Sequence, residues 1–359
     1  MNWSGKILKK MSKINHFPYL TKNSAELEYF LEYTGSNGYL LILNRDRFYF
    51  FTDARYFELY KQKFPDQIQL ISAGQKIYEQ INSLLEKEEL KETLYINPRF
   101  FSYQEVLEIR KKIKPFKFKP HPDDISLIRS FKEKEDIESL KKTIALTEEG
   151  IAYFMASLKA GISEKEAAAD LEYYVKKKGA ALSFPIIVLF GENSAYPHGE
   201  PGERKLKKGD VVLIDFGLKQ NHLCSDMTRT FCFEEMPEGF SDDYNLLLSL
   251  QMEIIRSIKP DMKASVLDLD FRKKLKKIGK EQYYLHSLGH GIGTEVHEPP
   301  ALSYLKKKEI LSRNKLFTIE PGFYMEGRYG IRIEDMVYID SRGKVIVLTT
   351  FPKTLLIKR

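Results

Sequence analysis

The sequence predicts an α+β protein of two domains, in which a smaller mixed-sheet α/β domain precedes a larger C-terminal domain. Three observations carry this prediction. Segments with helical periodicity alternate with strand-like hairpins, a proline-bearing segment at residues 114–124 disfavours regular structure, and hairpins at 211–231 and 316–339 repeat one arrangement of carboxylates. We therefore expect one domain over residues 1–122 and a second over residues 123–359.

The N-terminal segment has the pattern of a sheet with helices packed on it. A helix is expected to begin near Ser24, and apolar runs at 39–43 and 48–51 predict two strands joined by a polar turn. Segments 77–90 and 98–112 are expected to form further helices. The combination favours a mixed sheet.

The second segment begins with strong helical periodicity. Apolar spacing predicts a helix over 134–159 that stops at Gly161. Ser163 and Glu166 form a capping box for a helix ending near Gly179. The remaining expected elements are a strand at 185–190, a loop at 191–202, and helices at 242–258 and 265–277.

Composition indicates an ordinary globular protein. The chain has 359 residues, of which 43% are hydrophobic and 30% charged, enough for two hydrophobic cores. The net charge of +7 and lysine runs such as 306–308 are interpreted as solvated faces, because no nucleic-acid motif accompanies them. No apolar run approaches the roughly 20 residues that a membrane span needs, and residues 1–20 lack a signal-peptide core. We expect a cytoplasmic protein with no nucleic-acid or membrane partner.

Two cysteines, Cys224 and Cys232, are expected on one strand. Extended chain would separate them by roughly 26 Å, which is beyond the reach of a disulfide. They are interpreted as thiols of the core.

Each of the two similar hairpins carries a pair of acids. In the first, Asp215 closes an apolar run and Asp226 lies on the returning strand; in the second, Glu320 and Glu334 hold the corresponding positions. A buried carboxylate costs several kcal/mol unless a cation or strong donors compensate its charge. Because clustered acids raise each other's pKa, this arrangement indicates bound cations, and more than one.

The predicted site also includes a histidine as a fifth ligand. It further requires a choice between two neighbouring acids, Glu334 and Asp335. His290 lies between the hairpins and is flanked by glycines. Strand alternation places Glu334 on the same face as Arg332 and turns Asp335 away, so Asp335 is excluded. Four carboxylates and one imidazole without a thiolate suit Mn²⁺ or a similar ion. Two such ions roughly 3.5 to 4 Å apart are a known arrangement for hydrolysis, so the sequence predicts a metallohydrolase.

These five residues, in this order, resemble the ligand set of the pita-bread metallopeptidases. The surrounding motifs are similar to those of the branch that contains Xaa-Pro aminopeptidases and Xaa-Pro dipeptidases (prolidases). They are Ser225–Thr230, Gly289–Gly293, His297–Pro299, Ile319–Gly322 and Arg332–Asp335. Tyr33–Ser36 and Thr52–Tyr56 resemble signatures of a creatinase-like N-terminal domain. The resemblance covers nearly the whole chain.

The resemblance implies a C-terminal pita-bread (creatinase/aminopeptidase) domain that binds two divalent metal ions. The ions are expected to be Mn²⁺, with Co²⁺ and Zn²⁺ as alternatives. Asp215 would chelate one ion, Asp226 and Glu334 would bridge both, and His290 and Glu320 would complete the second site. Glu320 would also take and relay the proton of the attacking water.

Three further residues resemble groups that contact the substrate. His198 and His297 match two histidines that donate to the scissile carbonyl oxygen, and Arg332 is expected to orient ligands or substrate. His286 is interpreted as structural, as is His222. The pair His222-Leu223 replaces the Gly-Tyr usual in the family, and we expect it to alter the fit of the substrate.

The function implied is a dinuclear metallo-aminopeptidase that hydrolyses Xaa-Pro bonds at the free N-terminus of peptides, as a homodimer. A prolidase is the alternative, and it would need a cation or a steric wall at the C-terminal carboxylate of its dipeptide. Methionine aminopeptidase shares the ligand order but usually lacks the creatinase-like domain. A catalytically inactive pita-bread binding module is disfavoured because all five ligands are retained.

Overall fold

The computed structural model describes residues 8–64, 66–74, 76–89, 93–114, 117–121 and 125–358. The chain divides into two compact units, Met1–Ile128 and Arg129–Arg359. The boundary expected between residues 122 and 123 falls outside the described ranges and stays a prediction.

The first unit combines a sheet with short helices. Its strands are β1 (Tyr19–Thr21), β2 (Gly38–Ile42), β3 (Phe48–Thr52), β4 (Ile68–Ser72), β5 (Thr93–Ile96) and β6 (Lys117–Pro120). Its helices are α1 (Ser24–Leu31), α2 (Ala54–Tyr60), α3 (Ile77–Lys87) and α4 (Tyr103–Lys112), and α5 (Ile125–Ser130) crosses the boundary between the units in sequence. The segment predicted as one helix over 98–112 begins with a separate 3₁₀ turn at Pro98–Phe100.

The sheet of the first unit is mixed, as predicted. Its order is β4-β3-β2-β1-β5-β6, with antiparallel pairs β1–β2 and β2–β3 and parallel pairs elsewhere. Alternation along the strands buries both faces, because Leu40 and Phe50 enter one core while Leu41 and Phe51 enter the other. Strand β6 corrects the expectation that residues 114–124 lack regular structure. It is an edge strand, where a proline such as Pro120 is tolerated.

The second unit begins with helix α6. Its helices are α6 (Lys134–Ser157), α7 (Glu164–Lys177), α8 (Phe240–Ser257) and α9 (Ala264–Lys277). Its early strands are β7 (Ala181–Leu182), β8 (Ile187–Phe190), β9 (Val211–Phe216), β10 (Leu218–Gln220), β11 (Leu223–Cys224), β12 (Met227–Phe233) and β13 (Met262–Lys263). The later strands are β14 (Gly289–Gly291), β15 (Glu298–Leu302), β16 (Ile310–Leu311), β17 (Leu316–Ile319), β18 (Gly322–Met325), β19 (Tyr329–Arg332), β20 (Asp335–Ile339), β21 (Val345–Val347) and β22 (Leu356–Ile357).

The helix boundaries of this unit follow from local sequence signals. The capping box before α7 is present: Glu166 N donates to Ser163 Oγ at 3.2 Å, and Ser163 N donates to Glu166 Oε2 at 2.8 Å. Helix α6 ends before Gly161, which has a φ of 86°. The segment 191–202, expected to be a loop, starts with a 3₁₀ turn at Gly191–Ala195.

The unit contains two similar repeats, each a helix pair followed by nested strand pairs. In the first repeat β9 pairs with β12 outside β10 and β11; in the second β17 pairs with β20 outside β18 and β19. Within the predicted hairpin 316–339, Leu316 pairs with Tyr338 and Ile319 with Asp335. Glu320-Pro321 and Ile333-Glu334 interrupt the ladders, and the interruptions separate an inner pair from an outer one.

A similar break in the first repeat separates the strands that carry the two cysteines. Cys224 lies on β11 and Cys232 on β12, so the expectation of one shared strand is wrong, because Ser225-Asp226 separates the two strands. Both side chains are buried in the core, as expected.

The outer pairs extend into two sheets covered by the helices. The order of the first is β22-β12-β9-β8, and that of the second is β15-β14-β17-β20-β21. Ile214 and Phe216 of the first sheet share a core with α6 and α7, and Phe317 and Ile319 of the second share one with α8 and α9. Among the described residues, helices that are both long and apolar enough to cross a membrane are absent.

Candidate metal centre

The four predicted acids lie in or beside the outer strand pairs of the two repeats. Asp215 is on β9 opposite Thr228, and Asp226 directly precedes β12. Glu320 directly follows β17, and Glu334 directly precedes β20. Three of the four acids therefore lie where a strand ladder is interrupted, and their side chains are not bound to the alternation of a regular strand.

His290 occupies the middle of β14, between β15 and β17. A Cβ placed on Gly289 would lie 2.0 Å from Thr318 O, and one on Gly291 would lie 2.2 Å from Pro299 O. Such distances are not tolerated for a side-chain carbon, so both positions require glycine. The flanking glycines thus allow the close backbone approach that their sequence predicted.

The predicted ligands converge. One ligand atom from each of Asp226, His290 and Glu334 lies within 4.8 Å of the others. His290 Nε2 is 3.6 Å from Asp226 Oδ2 and 3.5 Å from Glu320 Oε1. Asp215 joins the group electrostatically, since its charge raises the pKa values of the other three acids.

Burial and mutual repulsion make this cluster unfavourable without cations. Burial, and then the charges of its carboxylate neighbours, raise the pKa of Asp226 well above its usual value. The pKa of Glu334 is raised well above normal for the same reasons, and burial is the main cause that raises the pKa of Glu320 to about 8. Burial and the neighbouring His297 lower the pKa of His290 to about 4, which favours the neutral imidazole needed for metal ligation.

Carboxylate oxygen atoms without a hydrogen-bond partner show that these residues fit a bound metal ion. Asp215 Oδ1, Asp226 Oδ1 and Glu334 Oε1 are buried and accept no hydrogen bond from the described residues. Buried carboxylate oxygens are normally satisfied, so three such atoms in one cluster need another partner. A hard divalent cation matches this set of oxygens and one imidazole nitrogen.

Arg332 connects the two repeats beside this cluster. Its Nη2 donates to Asp215 Oδ2 at 2.7 Å, and its Nε donates to Thr228 Oγ1 at 3.0 Å. Its Nη1 donates to Tyr324 Oη at 2.8 Å and to Pro197 O at 3.3 Å. All three guanidinium nitrogens are therefore engaged within the protein.

Glu334 and Asp335 have different surroundings. Glu334 Oε2 accepts from Thr228 Oγ1 at 2.7 Å and faces the cluster. Asp335 instead pairs with Arg229 at 3.0 Å and with Lys353 at 2.9 Å, and these cations lower its pKa against the effect of burial. The alternation argument that separated the two acids agrees with these contacts.

His297 follows a loop that a buried ion pair holds in place. The next residue, Glu298, has a fully buried carboxylate that is 3.0 Å from Lys132 Nζ and 3.7 Å from Arg129 Nη2. Glu298 Oε1 also accepts from Glu295 N at 3.1 Å. The ring centroids of His297 and His290 are 4.3 Å apart, so this anchored segment brings the second histidine against the cluster.

His198 is exposed, on the segment that follows the 3₁₀ turn. Burial first, and then the charge of His198, lower the pKa of His297, and His198 also lowers the pKa of His286. His198 therefore lies close enough to His297 and His286 to affect their pKa values.

Sequence reasoning missed Tyr324 and interpreted its partner His286 as structural. Tyr324 Oη donates to His286 Nε2 at 2.8 Å while accepting from Arg332, and His286 Nδ1 lies 2.7 Å from Ser287 O. Burial, and then the charge of Arg332, lower the pKa of His286 to about 3, which keeps the ring neutral. The only available signal was the position of His286 in the same segment as His290.

The His222-Leu223 pair lies at the turn between β10 and β11. Asn221 and His222 have φ values of 49° and 66°, in the left-handed region. Such φ values fit a two-residue hairpin turn, a place where glycine is favoured. The replaced glycine of the family motif thus corresponds to a position with a real backbone constraint.

Comparison with known proteins covers both units. Residues 138–341 match metallopeptidase family M24, and residues 5–131 match the creatinase/prolidase N-terminal domain. Putative dipeptidase YkvY of Bacillus subtilis (strain 168) is 40% identical over 236 residues, which are 66% of this chain and 64% of that protein.

Solved structures are similar over nearly the full chain. The crystal structure of X-Pro aminopeptidase from Thermotoga maritima MSB8 matches with a TM-score of 0.89 and 31% identity, covering 97% of this chain and 100% of that one. The Xaa-Pro dipeptidase from Bacillus anthracis matches with a TM-score of 0.89 and 28% identity, covering 99% and 100%.

A creatinase-like domain followed by paired helices and acid-bearing hairpins defines a metallopeptidase of the pita-bread class. The chain belongs to metallopeptidase family M24. The predicted fold class and the predicted enzyme class are both confirmed. The individual site residues and their roles stay predictions.

Proposed function

We propose that the protein is an Xaa-Pro aminopeptidase, a hydrolase that removes the first residue from peptides whose second residue is proline. The observation that carries this proposal is the convergence of four carboxylates and His290, with three buried oxygens that lack a partner in the described protein. The similarity to peptidases named for Xaa-Pro bonds supports the substrate class.

The proposed centre holds two divalent metal ions, which we take to be Mn²⁺. When bound, such ions lower the pKa of water and polarise a carbonyl group. Asp215, Asp226, Glu334, His290 and Glu320 would hold these ions.

The protein's own residues act on the proton and the substrate. Glu320 Oε1 takes the proton of the attacking water and relays it to the leaving proline nitrogen. His297 and His198 donate to the developing oxyanion of the scissile carbonyl, an interaction that typically contributes a few kcal/mol. Arg332 holds Asp215 in place and connects it to Tyr324 and the backbone before His198.

The engagement of Arg332 supports an aminopeptidase over a dipeptidase. A dipeptidase needs a cation or a wall at the C-terminal carboxylate of its substrate. Among the described residues, Arg332 is a cation that contacts the acids. Each of its guanidinium nitrogens already donates a hydrogen bond to a protein acceptor. Other buried cations of this unit are also committed, since Lys132 pairs with Glu298 and Arg229 with Asp335.

Xaa-Pro dipeptidase activity is the second candidate. Relatives named as dipeptidases favour it, including the Bacillus anthracis enzyme with its TM-score of 0.89. An inactive binding module is a third, weaker alternative, and the retention of all five candidate ligands argues against it.

One experiment separates these functions. Metal-free protein is supplied with Mn²⁺ and assayed on Xaa-Pro, Xaa-Pro-Yaa and Met-Ala-Yaa peptides, with Asp226→Asn as the control. We expect cleavage of Xaa-Pro-Yaa that is lost in the control. Cleavage of Xaa-Pro alone would identify a prolidase, and release of methionine from Met-Ala-Yaa would identify a methionine aminopeptidase. Protein that binds neither Mn²⁺, Co²⁺ nor Zn²⁺ would be a binding module.

We further propose that the enzyme works as a cytoplasmic homodimer with no nucleic-acid or membrane partner. The dimer rests on similarity to creatinase-like proteins, and the cytoplasmic location rests on the sequence, in which no apolar run is long enough to span a membrane. Sedimentation of the metal-loaded protein tests the dimer directly.

A further inference from the structure

We propose that Glu164 is a positioning residue that fixes the loop carrying His198, an inference that rests on the proposed catalytic role of His198. Glu164 is the first residue of α7, and its side chain is completely buried. It accepts hydrogen bonds from Phe190 N at 2.7 Å, from Gly202 N at 2.8 Å and from Asn193 Nδ2 at 3.1 Å. These three donors are all neutral.

The two carboxylate oxygens of Glu164 hold opposite ends of one loop. Oε1 accepts from Phe190, where the loop leaves β8, and Oε2 accepts from Gly202, where the loop ends. Asn193 inside the loop lies within hydrogen-bond distance of both oxygens. A buried carboxylate is costly, and here its hydrogen bonds close the base of the segment that carries His198.

Two backbone hydrogen bonds join the end of this loop to the start of α7. Glu164 N donates to Arg204 O and Lys165 N donates to Gly202 O, both at 3.1 Å. These are first-turn N–H groups, which have no acceptor inside their own helix. The backbone carbonyl oxygens of Gly202 and Arg204 therefore accept hydrogen bonds from N–H groups that the first turn of α7 would otherwise leave without an acceptor.

The beginning of the loop is fixed by Arg204. Its Nε donates to Phe190 O at 2.6 Å, and its Nη2 donates to Asp210 Oδ1 at 2.7 Å. Gly191 has a φ of 51°, and a Cβ there would lie 2.0 Å from Arg204 Nη2. This close packing leaves the loop base little freedom.

The far side of the loop contacts the second repeat. Gly330 N donates to Ser194 Oγ at 2.8 Å, and Arg332 Nη1 donates to Pro197 O. His198 itself is exposed, so its place beside His297 is set by the backbone that carries it. Glu164 thereby acts on His198 through the loop, without contact with substrate.

The test replaces Glu164 with glutamine, which keeps the size of the side chain but sets an amide NH₂ against one of the two backbone N–H groups. We expect kcat for an Xaa-Pro-Yaa peptide to fall about 10- to 100-fold, since small misplacements of catalytic groups have effects of this size. KM and the Mn²⁺ dissociation constant should change less than about threefold. Hydrogen exchange over residues 190–202 should accelerate about tenfold or more.

Glu166→Gln is the matched control. Glu166 lies in the same first turn and caps the helix through Ser163, but the loop contacts described above do not involve it. Glutamine also serves in a capping box, so this variant should leave kcat and exchange of the loop unchanged. Asn193→Ala removes one loop donor without changing the buried acid. It carries the same test with a smaller expected effect should Glu164→Gln fail to fold.

The outcomes separate this inference from the proposed function. If the wild type cleaves Xaa-Pro-Yaa while Glu164→Gln keeps its kcat and its exchange pattern, the positioning role is overturned. A similar loss in Glu166→Gln would also overturn it, because the effect would then come from the helix start. A wild type that cleaves none of the peptides refutes the proposed function, and the exchange data then decide whether Glu164 fixes the loop.

Discussion

Arg332 Nη2 donates to Asp215 Oδ2 at 2.7 Å, so a cation from the second repeat holds an acid of the first. The same guanidinium reaches Thr228 of the first repeat and Tyr324 of its own. Thr228 Oγ1 in turn donates to Glu334. Two of the proposed metal ligands are therefore oriented by one connected set of hydrogen bonds.

Replacement of Arg332 by lysine should impair both metal binding and turnover. A lysine ammonium cannot reproduce the guanidinium fork that reaches Asp215, Thr228 and Tyr324 together. We expect Mn²⁺ affinity to fall about 10- to 100-fold, the usual range for groups that orient metal ligands. Calorimetric titration with Mn²⁺ measures this, and unchanged affinity would show that Asp215 is oriented without Arg332.

Lys132→Met should destabilise the second unit. The substitution leaves the carboxylate of Glu298 buried with only the more distant Arg129, and breaking a buried pair costs about 3 kcal/mol or more. Urea denaturation gives the change in unfolding free energy. Lys141→Met is the control, because its partner Glu138 is exposed and solvent screens the pair, so the loss of stability should be much smaller. Equal losses in both variants would contradict the importance of burial.

Without metal, Glu320→Gln should be more stable than the wild type at pH 8. The folded-state pKa of Glu320 is raised to about 8, so the folded protein binds a proton that the unfolded chain releases near its ordinary value of 4.5. Its contribution to stability is therefore present at low pH and is lost as the pH rises toward 8. Glutamine does not titrate, and its advantage should shrink toward pH 5.

Thermal unfolding in EDTA at several pH values checks this sign. Added Mn²⁺ should reverse the order at pH 8, because the ion binds the ionised carboxylate of the wild type. A metal-free wild type that gains stability relative to the variant between pH 5 and pH 8 would contradict the raised pKa.

Restoring the family residues with His222→Gly and Leu223→Tyr should change substrate preference and leave activity intact. The turn has left-handed φ values that glycine accepts without strain, and tyrosine adds a hydroxyl three residues before Asp226 in sequence. The ratio of kcat/KM values for two Xaa-Pro-Yaa peptides with different first residues is the measurement. An unchanged ratio would refute the idea that this pair alters substrate fit.

Much of the centre was predictable because local sequence patterns indicate its candidate ligands. Asp215 and Glu320 each close an apolar run, and alternation alone distinguishes Glu334 from Asp335. These signals involve neighbours in sequence. The same holds for the Ser163–Glu166 capping box, which both predicts and forms the start of α7.

The parts that escaped prediction depend on long-range geometry. The ladder breaks at Glu320-Pro321 and Ile333-Glu334 separate inner from outer strand pairs, and periodicity does not reveal which partner each strand chooses. Glu164 looks like an ordinary first-turn acid of a helix, yet its partners lie at residues 190–202. Burial of a single polar side chain leaves no period in the sequence.

The division of the acids between two repeats has a consequence for assembly. Asp215 and Asp226 belong to the first repeat, Glu320 and Glu334 to the second, and the connection between them runs through residues 234–239. A chain nicked in that connection would yield two fragments, the first with two of the five proposed ligands and the second with three. Divalent ions would then join the fragments in addition to the β12–β22 pairing and the Arg332–Asp215 and Arg229–Asp335 ion pairs, and chelation would weaken their association.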